Sequence, residues 1–301
     1  GVIVLRLHER GNGGSEGTGA AATLADRAAD ALAALNYLRT RPQVDVTHLL
    51  LIGHGEGANV ALLAAAQPQA PTFVVALAAA GLPVREVLAS QPIMYGKVLG
   101  GDSTELQRQR QYRVAEAAAG QEAASLRAHG SNSAQVQTYL DQQRLRLHAT
   151  QRRDEQALLK HQRAMLEIVR QMPDNAQAQA ILSNMMRQRY PNIAPADLQA
   201  SVQALTTPAY RSYLAFDPLP TLAQVQCPVL LMQGDDDTEV NATANLAQLR
   251  KGLRTNSRVA ELRLPGLNHA MQIVKDAAVG FEAPLSPDVL TDIQSWLSSQ
   301  K

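Results

Sequence analysis

Cysteine is nearly absent from this chain of 301 residues, with Cys227 its only example. A lone thiol excludes an intramolecular disulfide and any zinc site built on cysteine. A dominant charge sign is missing too. The 28 Lys and Arg residues meet 27 Asp and Glu, a formal net charge of +1, so no overall field favours nucleic acid or an anionic membrane as partner. No apolar run is long enough to span a bilayer, and the longest, residues 73–84, is interrupted by Gly81 and Pro83. Wholesale disorder is excluded by a composition that is 46% hydrophobic and 18% charged. A chain of this length buries ~75% of its unfolded surface and accommodates one large α/β domain, or one domain with an insertion. Its opening, GVIVLRL, has no Met, basic leader or cleavage-site pattern. Those residues read as a buried strand with no lead-in, as in a fragment whose upstream part is missing, and the compartment is not legible from them.

What is present is an alternation of strand and helix. Val2 to Leu7 reads as a strand, RGNGGSEGTG (10–19) as a glycine-rich loop, and Thr23 to Leu38 as an amphipathic helix with Leu24, Ala28, Ala31, Leu32, Leu35 and Leu38 on one face. Arg41-Pro42 stops it. The continuous apolar run His48 to Ile52 predicts a strand covered on both faces. A tight turn, GHGEG (53–57), then leads into a helix from Ala58 to Ala66, and Phe73 to Ala79 reads as the next strand. This β-α-β-α-β order implies a parallel sheet with right-handed crossovers.

From about Gly100 to Tyr213 strand-like runs vanish, and Gly120, Gly130, Pro173, Pro191 and Pro208 divide several helices. Leu158, Met165, Val169 and Met172 form a stripe at helical spacing, read as core packing in preference to a pocket lining. Residues 100–172 carry a net charge of +3 with only Tyr112 and Tyr139 as aromatics, which argues against nucleic-acid binding by this segment. The α/β pattern then resumes with strands at Pro228 to Gln233 and Val259 to Leu264, and helices at Asn245 to Leu253 and about Pro287 to Leu297. The expected organisation is a first core part over residues 1–100, an all-helical insertion over 101–213 and a second core part over 214–301.

A short strand, G-x-x-x-G and a small-residue helix together form the geometry of a nucleophile elbow, whose central residue is held out at the top of the sheet in a strained conformation. That residue is Gly55, which has no side chain to attack with. Glycine adopts such dihedrals without the ~1–3 kcal/mol other residues incur, so it keeps the turn while removing its chemistry. The same glycines would also suit a phosphate-binding turn, but Glu56 puts a carboxylate at the helix end where a phosphate would bind. Asp237 follows the strand at 228–233, and His269 follows the strand at 259–264 in a loop opening with Pro265-Gly266. An acid and a histidine in that order after late strands can orient imidazole toward the elbow. Read singly, Asp235, Asp236 and Asp237 would make a solvated acidic loop or a weak cation site, and His269 a polar turn residue. His54 reads as a packing or hydrogen-bonding residue.

VLRLHERGNGGSEG (4–17), VDVTHLLLIGHGEG (44–57), AFDPLPTLAQVQCPVLLMQGDDDTEV (215–240), LPGLNHAMQ (264–272) and LSPDVLTDIQSWL (285–297) carry a resemblance to bacterial α/β-hydrolases of the esterase, acyl-hydrolase and serine-aminopeptidase type with a helical cap. The resemblance implies an α/β-hydrolase-like three-layer sandwich with a mostly parallel sheet and an inserted all-helical cap. It places Gly55 at the serine nucleophile, Asp237 at the acid and His269 at the base, and gives the Glu56 backbone N–H to the oxyanion hole. It implies small ester, amide or acyl substrates, no metal and no cofactor. Residues 2–7 correspond to the family's fourth strand, with the third, normally between the fourth and fifth, lying upstream along with a second oxyanion donor. The sheet is therefore expected either to have a gap or to pair residues 2–7 with 48–52. Substrate identity and oligomeric state are not legible.

Overall fold

The computed structural model describes residues 2–91, 104–273 and 284–300, with side chains in the first turns after residue 103 left aside. Two compact units are present, Gly1–Gln91 with Thr207–Lys301, and Pro92–Thr206. In chain order the first unit contributes α1 (Leu24–Arg39), β1 (Leu50–His54), α2 (Glu56–Ala65), β2 (Phe73–Leu77) and α3 (Val84–Ser90). The second unit is helical among the described residues: α4 (Thr104–Ala128), α5 (Ser133–Gln171), α6 (Asn175–Arg189) and α7 (Pro195–Leu205). The first unit then resumes with α8 (Pro208–Leu214), α9 (Leu219–Leu222), β3 (Val229–Gly234), α10 (Ala242–Gly252), β4 (Val259–Leu264) and α11 (Pro287–Ser298).

The four strands form one parallel sheet in the order β1-β2-β3-β4, as the alternation of strand and helix requires. β2 and β3 are buried along their whole length, and their side chains alternate between two cores. Val74, Ala76, Val229 and Leu231 pack with Ala58 and Leu62 of α2 and with Leu246 and Leu249 of α10. Val75, Leu77, Leu230 and Met232 face the opposite core, with Val289 and Ile293 of α11. The result is three layers, helix–sheet–helix, each buried Val or Leu contributing ~1.5–3 kcal/mol of transfer free energy. α1 begins at a capping box, Thr23 accepting from the Asp26 N–H while the Asp26 carboxylate accepts from that of Thr23.

In the second unit, α5 runs 39 residues from a capping box at Asn132 and Gln135. It packs against α4 and α6, and α6 packs against α7. Leu158, Met165 and Val169 are buried and Met172 is half-buried, so the stripe is core packing. No described helix is long and apolar enough to cross a membrane.

Residues 2–7 correct the sequence reading. They belong to no strand, and Val2 and Val4 are 88% and 74% exposed. Among the described residues none of their backbone groups has a hydrogen-bond partner, and β1 pairs with β2 alone. Strand propensity without an adjacent backbone to complete the ladder yields no strand. β1 is corrected as well. It lies at 50–54 where 48–52 was expected, and it is a sheet edge with Ile52 55% exposed, not a strand covered on both faces. α2 starts two residues earlier than expected, at Glu56.

Candidate functional site

The turn between β1 and α2 is an elbow. Gly55, the residue before the helix, has φ 55° and ψ −119°, a combination costly for any residue with a side chain. The tightness of the turn rests on Gly53, where a Cβ would lie 2.1 Å from the Gly57 carbonyl oxygen. A Cβ at Gly57 itself would meet nothing within 4 Å, so of the two flanking glycines it is Gly53 that the crossing demands. The Gly55 N–H donates to the Leu77 carbonyl (2.9 Å), and Asn59 of α2 exchanges two hydrogen bonds with the Ala80 backbone (2.8 and 3.1 Å). Both fasten the elbow to the end of β2. Glu56 is the first helical residue, and its N–H has no acceptor among the described residues.

Asp237 and His269 come together at the ends of β3 and β4. The His269 Nδ1–H donates to Asp237 Oδ2 at 2.8 Å, and the Asp237 side chain is fully buried. Its other oxygen accepts from the backbone N–H groups of Glu239 and Val240, both at 2.8 Å, and the Gln233 amide donates to Oδ2 at 2.6 Å. Four donors thus fill the acceptor capacity of a carboxylate. With Nδ1 carrying the proton in the neutral ring, Nε2 is the basic nitrogen. It points at the elbow: a Cβ built on Gly55 would lie 3.3 Å from it. The residues placed at nucleophile, acid and base positions therefore converge, and the first of the three has no side chain.

Three further residues complete the site. His54 Nε2–H donates to the His269 carbonyl at 2.7 Å, and the two rings stack obliquely with centroids 4.8 Å apart. Partial burial holds the His54 imidazole below its usual pKa, an effect opposed by that bond. Glu239 places a carboxylate oxygen 3.8 Å from His269 Nε2, on the side away from Asp237. Gln233 and Glu239 escaped the sequence reading, Gln233 because it sits within an apolar strand and Glu239 because loop acids are commonly solvated. Met271, two residues after His269, has φ 58° and is fully buried, which fixes the path of the loop.

Burial also raises the Glu56 carboxyl above its usual range, against the pull of Arg27, whose guanidinium lies 3.6 Å away. Burial, with the Glu56 and Glu239 carboxylates adding to it, raises the Tyr213 hydroxyl far enough that it stays protonated. The acidic run does not act together: Asp235 pairs with Arg263 at 2.7 Å while Asp237 holds His269. Among the described residues no group of three or more His, Cys, Asp or Glu is placed to hold a metal ion. A cavity of about 840 Å³ opens on the other side of the elbow, between residues 5–10, α1 and α2, reaching His54, Glu56 and Gly57 but not the acid–histidine pair.

No family model matches the sequence, and no curated protein matches it. Among solved structures the chain is similar to an α/β-fold family hydrolase from Bacillus anthracis str. Sterne, at 12% identity over 98% of this chain and 80% of that one, with a TM-score of 0.44. It is similar also to a monoacylglycerol lipase of Paleococcus ferrophilus, at 13% identity over 95% of this chain and 79% of that one, with a TM-score of 0.42. A third similarity is to a structure from a study of carboxylesterases of the thaumarchaeon Nitrososphaera gargenis, at 13% identity over 95% of this chain and 77% of that one, with a TM-score of 0.41.

Proposed function

We propose that this chain, which has the α/β-hydrolase fold, is an acyl-hydrolase homologue that holds a small ester, amide or acyl ligand without turning it over. The supporting observation is the site's geometry: Gly55 occupies the elbow apex with φ 55° and ψ −119°, facing a His269 already oriented by Asp237. In such a site a serine at the apex would lose its proton to His269 Nε2 and attack the carbonyl carbon, with the Glu56 N–H donating to the oxyanion. The ester C–O or amide C–N bond then breaks, the leaving alcohol or amine takes the proton back from His269, and an acyl-enzyme remains for water to hydrolyse. Glycine removes the attacking atom and leaves the proton acceptor and the binding geometry.

Restoring the nucleophile tests this. Gly55→Ser is expected to hydrolyse p-nitrophenyl butyrate above the buffer rate, since residual catalysis of ~10³–10⁴ over water survives when parts of such a site are missing. The added Cβ, 3.3 Å from Nε2, requires the ring to yield by a few tenths of an ångström, and the strained dihedrals reduce stability by ~1–3 kcal/mol. Gly55→Ser/His269→Ala is the control. A folded Gly55→Ser protein that stays at the buffer rate and takes no label from a fluorophosphonate would refute the elbow assignment.

A second reading has its own support. With Glu239 3.8 Å from Nε2 on one side and no side chain at Gly55 on the other, the Asp237–His269 pair suits activation of water or direct deprotonation of a substrate. Wild-type activity that disappears in His269→Ala would favour it over ligand holding.

A further inference from the structure

His54 is the last residue of β1 and immediately precedes the apex at Gly55. Its Nε2–H donates to the backbone carbonyl of His269, a bond of 2.7 Å between residues 215 positions apart. β1 and β4 are not neighbours in the sheet, since β2 and β3 lie between them. The bond therefore joins the elbow to the loop after β4 directly, without passing through the ladder. The other ties of that loop run elsewhere. The Asp236 N–H donates to the Leu267 carbonyl (3.0 Å), the Asn268 N–H to the Gln272 carbonyl (3.0 Å) and the Ser286 N–H to the Met271 carbonyl (2.9 Å). These fasten the loop to the end of β3, to itself and to the start of α11, and none of the three reaches the elbow.

His269 is thus gripped at two places. Asp237 holds the ring at Nδ1 (2.8 Å), which sets the direction in which Nε2 points. His54 holds the backbone from which that ring starts. Because His54 is one residue from Gly55, and the Gly55 N–H is itself tied to the Leu77 carbonyl, the grip moves with the apex. A carbonyl only accepts, so the proton of the neutral His54 ring is on Nε2, and protonation of the ring at Nδ1 would leave the bond in place. The two rings also touch, with centroids 4.8 Å apart and planes inclined by 55°, so the bond and the stacking have to be told apart.

We infer that His54 is a positioning residue, which sets the separation between the elbow apex and His269 Nε2 through its bond to the His269 backbone. The inference rests on the acyl-hydrolase reading and adds to it the part that keeps base and apex in register. Proton transfer between an apex group and Nε2 depends on their distance at hydrogen-bond range. A Cβ at Gly55 lies only 3.3 Å from Nε2, so small shifts of the loop open or close that distance. His54 links the two partners by the shortest covalent route the fold offers, one residue from the apex and one bond to the base.

Three substitutions test it. His54→Gln puts an amide N–H₂ where Nε2–H stands, His54→Phe keeps a ring without the donor, and His54→Ala removes both. The first readout is the proton NMR signal of the His269 Nδ1–H held by Asp237, recorded with Gly55 in place and assigned by its loss in His269→Ala. Its exchange with solvent is expected to stay at the wild-type rate in His54→Gln and to speed up by about tenfold in His54→Phe and His54→Ala. The second readout is p-nitrophenyl butyrate hydrolysis in the Gly55→Ser background. There kcat is expected to fall by about tenfold in His54→Phe and His54→Ala at unchanged KM, and to recover with His54→Gln. Wild-type exchange in His54→Phe overturns the inference, as does a His54→Gln protein as impaired as His54→Ala. So does a wild-type chain with no such signal, or an effect confined to KM, which would make His54 a ligand contact. Loss of fold in all three variants, followed by circular dichroism, would make His54 purely structural and overturns it too. The NMR readout needs no serine, so failure of Gly55→Ser to react would sink the elbow assignment and leave the inference about His54 to be decided by the exchange rates.

Discussion

The two halves of the candidate site are built to different degrees. On the β3–β4 side, a buried carboxylate receives four hydrogen bonds, one of them from the histidine it orients. On the β1–α2 side the strand–turn–helix backbone is equally well formed, yet its apex, Gly55, has no side chain. Elbow geometry therefore does not need the nucleophile; it needs room between strand and helix and a residue that tolerates positive φ. The acid–histidine half is the reverse case, since its geometry is held by hydrogen bonds to the Asp237 side chain itself.

Gly53→Ala tests this difference with the largest expected effect. A methyl group 2.1 Å from the Gly57 carbonyl has to push strand and helix apart, at ~3 kcal/mol or more. The urea midpoint should fall accordingly, and Gly55→Ser should gain no activity when made in the Gly53→Ala background. An unchanged midpoint would show that the elbow has slack.

Asp237→Asn comes next. The amide keeps the volume but sets an N–H₂ against some of the donors from Gln233, Glu239, Val240 and His269, leaving buried groups unsatisfied at ~2 kcal/mol. In the Gly55→Ser background the same change should lower turnover by about 10⁴ through the wrong histidine tautomer. Loss of stability without loss of turnover would mean that Asp237 supports the loop and not His269.

Glu56→Gln has the smallest effect and the opposite sign. Burial raises the Glu56 pKa in the folded state, so the folded protein binds this proton more tightly than the unfolded chain. The stabilisation is full below the ordinary glutamate range and is lost as pH rises through the raised value. At pH 7 the neutral amide removes the buried charge, and Tm is expected to rise by about 1–2 °C. At pH 4 the difference should shrink or vanish. A fall in Tm at pH 7 would show that the Arg27 ion pair outweighs burial.

Much of this was legible in the chain. Strand–helix alternation, the elbow at residues 53–57 and the order Gly55, Asp237, His269 follow from short-range signals: apolar periodicity, glycine spacing and position after a strand. Gln233 was not legible, because in an apolar strand only the sheet's twist and the facing loop reveal that its amide reaches Asp237. Neither was Glu239, one acid among several in a loop until the fold sets it beside Nε2.

Residues 2–7 separate the two kinds of information most clearly. Their composition makes them apolar and strand-prone, since β-branched side chains restrict χ1 and pack well on a pleated surface. Whether an extended run becomes a strand depends on a second backbone at hydrogen-bonding distance, and that is a property of the assembled sheet. The same reasoning covers the edge character of β1. Sequence determined most of the helices and strands and singled out Gly55, Asp237 and His269 as candidates, because each of those signals lies within a few positions. Tertiary structure decided which edges pair, which acids meet His269 and which polar groups are satisfied, because those contacts join residues far apart in the chain.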